Sequence, residues 1–195
     1  DVFYGMGVGY ATMVCGELSG EYPNQFEFKN TGISGHRIVD LYARIKSDFL
    51  NLKPDFASIY CGVNDSWHEI LSQNGVNTQK FEMVYQLMLD EIFETLPNIK
   101  LILVAPFVVE GRATENTEEM PNRLQQFQVD VAEKAEAVKR IAKKYNLPVI
   151  ELQPIFDAAC EKAAPDYWTT DGVHPTPAGH TLIKNEWIKE FKKLI

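Results

Sequence analysis

The sequence predicts an α/β sandwich, with helices on both faces of a parallel sheet. Short apolar segments alternate with longer stretches of helical periodicity, the pattern of repeated βαβ crossovers. Residues 99–105 (Ile-Lys-Leu-Ile-Leu-Val-Ala) contain almost nothing polar, as in strands covered on both faces. Turns rich in Gly, Asn, Asp and His follow the apolar segments, where parallel sheets open toward ligands.

In chain order, Tyr10, Met13, Val14 and Leu18 recur at helical spacing, and Gly20 is a plausible stop. Residues 25–29 alternate polar and apolar, which predicts a short strand near a sheet edge. After a turn at 30–35, Ile38, Leu41, Ile45 and Phe49 form the stripe of a second helix. Lys53-Pro54-Asp55 breaks it and introduces a strand at 56–61, followed by a polar turn at 62–67. Phe81, Val84, Tyr85, Met88, Leu89, Ile92 and Leu96 mark a long amphipathic helix that ends at Pro97. The strand at 99–105 comes next, then an irregular, Glu-rich loop at 107–121 of the length that lids and binding loops have. A helix at 122–145 turns Val131, Ala135, Val138, Ile141 and Ala142 inward. A short strand at 148–152, a short helix at 155–163 and a last helix at 178–194, with Leu182, Ile183, Trp187, Ile188 and Phe191 at core spacing, complete the chain.

The first nine residues, Asp1-Val2-Phe3-Tyr4-Gly5-Met6-Gly7-Val8-Gly9, read as a Gly-rich loop. An α/β domain normally opens with a strand before such a loop, so a first strand is expected upstream of Asp1, and a signal peptide stays open. With that strand the fold class is a flavodoxin-like three-layer α/β/α sandwich with a parallel five-stranded sheet. Residues 1–195 are expected to form one domain.

The formal net charge of −8 argues against nucleic acid or an anionic membrane surface as partner and suits a neutral small molecule. No apolar run reaches the ~18–20 residues of a membrane span. Cys15, Cys61 and Cys160 are scattered, form no CxxC pair and favour a reducing, cytoplasmic setting. His36, His68, His174 and His180 show no metal-ligand spacing, and no cofactor is expected. A homo-oligomer stays open.

Three polar turns carry the chemistry: Asn30-Thr31-Gly32-Ile33-Ser34-Gly35-His36, Gly62-Val63-Asn64-Asp65, and Asp171-Gly172-Val173-His174-Pro175. An Asp three residues before a His can hold that imidazole as a general base. An unhindered Gly N–H and an Asn amide can bind an oxyanion as it forms. Each residue also has a plainer role. Asn64-Asp65 can be an ordinary turn pair, Gly35 a helix-entry glycine, Ser34 a helix cap, Asp171 a turn former and His174 a surface histidine. Trp67 suits a sugar platform or core packing equally.

Taken together, the three turns resemble conserved blocks of the SGNH hydrolase superfamily, also called GDSL-type esterases. Asn30 to Gly35 is similar to its second block, Gly62 to Asp65 to its GxND block and Asp171 to His174 to its DxxH block, in the family's order along nearly the whole chain. The resemblance implies a carboxylic ester hydrolase in which His174 is the base, Asp171 its orienting carboxylate, and Gly35 and Asn64 oxyanion donors. The family's nucleophilic Ser in a Gly-Asp-Ser stretch has no counterpart here and is expected just upstream of Asp1. Residues 64–67, the loop after Pro106 and the Val173-His174-Pro175 ending further resemble bacterial carbohydrate acetylesterases, which implies O-acetyl groups on an oligosaccharide as substrate. A lysophospholipase- or thioesterase-type hydrolase of the same superfamily stays open, as does a non-catalytic flavodoxin-like or carbohydrate-binding module.

Overall fold

A computed structural model of the protein describes residues 9–195. Residues 1–8 of the Gly-rich opening, and the strand expected before them, lie outside the described residues. Strands Phe56–Tyr60 (β1), Lys100–Ala105 (β2) and Val149–Glu151 (β3) form a parallel sheet in the order β1-β2-β3. Phe56 pairs with Lys100 through to Tyr60 with Val104, and Leu103 with Val149 through to Ala105 with Glu151.

Among the described residues the sheet therefore has three strands, not five. The expected strand at 25–29 joins no ladder: residue 25 closes a turn and 26–29 have no regular structure. Its alternation arises instead from aromatic packing. Phe26 meets Phe56 at 6.4 Å and Phe191 at 5.5 Å between ring centroids, and Phe28 stands against Phe26. A strand also needs a partner for its N–H and C=O groups, and residues 25–29 pair with none of the described strands.

The helices are Tyr10–Glu21 (α1), Ile38–Ala43 (α2), Ile45–Asp48 (α3), Val63–Ser72 (α4), Thr78–Thr95 (α5), Arg123–Tyr145 (α6), Leu152–Cys160 (α7), Pro165–Trp168 (α8) and Pro177–Phe191 (α9). The expected second helix is split at Arg44. There the guanidinium donates to Thr31 O at 2.7 Å and pairs with Asp48 at 2.7 Å. The two faces of the sheet are covered as the period of two along β2 demands. Leu101, Leu103 and Ala105 join Ile59 and the inner residues of α5 and α6 in one cluster. Ile102 and Val104 join Ile150 and residues of α1, α7 and α9 in another. A smaller cluster of Val108, Phe127, Val131 and Val173, flanked by Val63, Trp67 and Ile70, sits beyond the strand ends.

Candidate active site

β1 delivers the chain through Cys61 to Gly62, whose φ of +126° only glycine adopts comfortably. A Cβ there would lie 2.9 Å from Pro106 Cγ, so the close approach of the β2 end also requires Gly. Helix α4 begins at the next residue. The polar turn expected at 62–67 is thus the first turn of a helix, with Asn64 and Asp65 inside it. An acidic group in that position faces the unsatisfied N–H end of the helix, which favours it there.

Three hydrogen bonds staple this first turn to the 35–38 turn. Asn64 Nδ2 donates to His36 O at 3.1 Å, and His68 Nε2 donates to Gly35 O at 3.0 Å. Ile38 N donates to both Asp65 oxygens, at 3.1 and 3.3 Å. Gly35 itself has φ +79°, so it redirects the chain rather than entering the helix. Nor does Ser34 cap α2. The cap is Arg37, whose N–H donates to Asp40 Oδ2 at 2.9 Å.

The Asp171–His174 turn is built on the opposite side. His174 Nδ1 donates to Asp171 Oδ2 at 2.8 Å, while Asp171 Oδ1 accepts from Val173 N at 3.2 Å and His174 N at 3.0 Å. With Nδ1 carrying the proton, Nε2 keeps its lone pair and can act as a base. The 107–121 loop clamps this turn through its main chain. Val109 N donates to Gly172 O at 2.9 Å and Ala113 N to Asp171 O at 3.0 Å. Gly172 has φ +106°, and a Cβ on it would fall against Thr114 Oγ1 and 2.7 Å from Val109 O. Thr114, fully buried, donates to Val109 O at 2.8 Å. A loop with the composition of a lid is here the buttress of the His-bearing turn.

Trp67 joins the two sides. It lies one turn after Asn64 on α4, with its ring 6.4 Å from the His174 ring and edge-on, and 5.5 Å from Phe127. It is half-buried, so packing and an exposed face coexist. The geometry accordingly brings Gly35, Asn64, Trp67, Asp171 and His174 into one connected set. Among the described residues no group of three or more His, Cys, Asp or Glu could hold a metal ion.

Asp171 and the neighbouring Asp65 are shifted in opposite directions. For Asp171, burial pushes the pKa up, but the His174 side chain and the His174 and Val173 N–H groups outweigh it and hold the carboxyl below its usual range. Asp65, fully buried, is pushed up to about 7 by burial, against the pull of the Ile38 N–H, Lys134 and Arg37. No role for Asp65 follows from the sequence, because its partner Ile38 is far along the chain and Asn-Asp looks like any turn. Gly before an Asp in helical register was the available signal.

The model of the GDSL-like lipase/acylhydrolase family matches residues 4–182. The chain belongs to this family. It is 31% identical to an acetylxylan esterase of Geobacillus stearothermophilus over 97% of this chain and 83% of that protein. Among solved structures, a Parabacteroides merdae protein described as GDSL-like lipase is similar at a TM-score of 0.84, with 30% identity over 94% of this chain and 82% of that one. An acetyl xylan esterase is similar at a TM-score of 0.78, with 27% identity over 93% of this chain and 90% of that one. As a GDSL-family member the protein is a carboxylic ester hydrolase.

Proposed function

We propose that the protein removes small O-acyl groups, chiefly O-acetyl, from carbohydrate, through an acyl-enzyme formed on a serine outside the described residues. The serine hydroxyl attacks the ester carbonyl while His174 Nε2 takes its proton. Asp171 keeps the imidazole in the needed tautomer and stabilises its protonated form. Asn64 Nδ2 has two N–H bonds. One is spent on His36 O, and the second donates to the tetrahedral oxyanion together with Gly35 N–H. The leaving sugar hydroxyl takes the proton back from His174. Water, deprotonated by the same nitrogen, then releases the acid and frees the serine. Trp67 offers an aromatic face beside the base, which suits the apolar face of a sugar ring.

The observation that carries this proposal is the Asp171–His174 bond with its two supporting backbone donors, a carboxylate held ionised behind an imidazole. The choice of acetylated carbohydrate is supported by the likeness to acetylxylan esterases. Acetate release from acetylated xylo-oligosaccharides by the full-length protein is the test, with p-nitrophenyl acetate as reference. His174→Ala is expected to lose at least ~10³-fold in kcat on both. Unchanged turnover in that variant would overturn the assignment of the base, and activity on p-nitrophenyl acetate without acetate release from the sugar would overturn the substrate.

A further inference from the structure

We propose that Gln153 is a positioning residue for the base: from α7 its side-chain amide grips both main-chain groups of Val108 and so sets the seat of the Asp171–His174 turn, which hangs from the next residue, Val109. The proposal rests on the esterase reading above for its effect on rate, but not for its geometry.

The parallel ladder between β2 and β3 ends at Ala105 and Glu151, because the chain turns into α7 at Leu152. Past Ala105 the chain therefore lacks a β3 strand to pair with, although Val108 is buried. Buried main-chain N–H and C=O groups need partners. Gln153 supplies both from one side chain. Its Oε1 accepts the Val108 N–H at 3.0 Å, and its Nε2 donates to Val108 O at 3.0 Å. Nε2 also donates to Asp157 Oδ1 at 2.8 Å, one turn further along α7. An ionised carboxylate only accepts, so Asp157 fixes which end of the amide is nitrogen, and with it the sense of both bonds to Val108. The amide acts as a one-residue strand.

Val108 is tied to the catalytic turn in two ways. Its side chain shares a buried cluster with Val173, the residue before His174. Its neighbour Val109 donates its N–H to Gly172 O at 2.9 Å and accepts the Thr114 hydroxyl at 2.8 Å. Gly172 lies inside the loop that Asp171 Oδ1 closes on the N–H groups of Val173 and His174. A shift of Val108 therefore carries the carboxylate and the imidazole with it. The fold depends less on this amide than the turn does. Phe107 stacks on Phe156 of α7, with ring centroids 3.7 Å apart, and keeps the start of the loop on that helix without Gln153. To this apolar anchor the amide adds direction, because hydrogen bonds weaken steeply as they bend.

The test uses the full-length protein. Gln153→Met keeps the length of the side chain and removes both bonds to Val108. It is expected to lower kcat on p-nitrophenyl acetate about tenfold or more with KM within about twofold, since a ~1 Å misplacement can cost ~10²-fold in rate. In the Asp171→Asn background, where the imidazole is already in the wrong tautomer, the same change should cost about twofold or less. An unchanged kcat in Gln153→Met, or an equal loss in both backgrounds, would overturn the proposal. Amide hydrogen exchange reads the geometry without any activity. In the unsubstituted protein the Val108 and Val109 N–H groups should exchange slowly and at similar rates, and Gln153→Met should speed both while leaving α5 unchanged. Fast exchange at Val108 beside a protected Val109 would overturn the clamp even if the variant does not fold. Inactivity of the unsubstituted protein would count against the esterase reading and leave the exchange result to decide the clamp.

Discussion

Asp65 and Asp171 are both nearly hidden from solvent, at 0% and 6% exposure, yet burial leaves them in opposite states. Asp171 receives three N–H groups across its two oxygens and is held below the usual carboxylate range. Asp65 accepts the Ile38 N–H on both oxygens and is still pushed up to about 7 by burial. The difference follows from both terms at once: Asp65 is the more deeply buried, and Asp171 receives more donors to offset its burial. It also separates two kinds of support for one site. On the side of the base the donors favour the ionised carboxylate; on the oxyanion side burial works against it.

The largest expected effect tests the first of these. Asp171→Asn preserves the shape but presents an amide N–H to His174, so kcat on p-nitrophenyl acetate should fall ~10³–10⁴-fold with KM little changed. A loss below about tenfold would place the charge of Asp171 outside the mechanism. On the oxyanion side, Asn64→Ala should cost ~10²–10³-fold in kcat, the usual worth of one donor. A comparable loss in KM alone would instead make Asn64 a binding group. Gly172→Ala probes how firmly the base is seated. A positive φ and the contact with Thr114 should destabilise the fold by ~2–4 kcal/mol in urea titration, and activity should fall with it.

The smallest effect is a pH slope. Because the folded pKa of Asp65 lies above its ordinary 3.8, its contribution to stability is present below about pH 4 and lost as pH rises through about 7. Asp65→Asn should erase that slope and gain on the order of 1–3 kcal/mol at pH 8 relative to pH 4, while losing kcat. Denaturation at the two pH values gives the comparison. An equal effect of the substitution at both would mean that Asp65 does not titrate between them.

Much of this was legible in the sequence wherever the signal is local. The stripe of Phe81, Tyr85, Met88 and Ile92 located α5, and the apolar run of β2 announced a strand covered on both faces. Asp171 and His174 were legible because their pairing spans three residues. Residues 25–29 misled because alternation reports which side chains face inward, while a strand is defined by a partner that alternation does not name. The 62–67 stretch misled because Asn and Asp favour turns and helix starts alike. The burial of Lys134 was invisible for a related reason: its place on α6 looks like that of any surface lysine until the helix is packed.

The hydrogen bonds from the 107–121 loop to the His-bearing turn run between main-chain atoms, Val109 N to Gly172 O and Ala113 N to Asp171 O. Gly111 lies so close to the turn that a Cβ on it would come 2.7 Å from Asp171 O. Main-chain contacts are indifferent to the identity of the side chains that hang from them. Glu110, Glu115, Glu118 and Glu119 are exposed on that same loop. The loop can therefore change its outer chemistry, and what it accepts from solution, without disturbing the histidine behind it. Such a division lets mutation redraw the rim of a site one residue at a time over an unaltered engine.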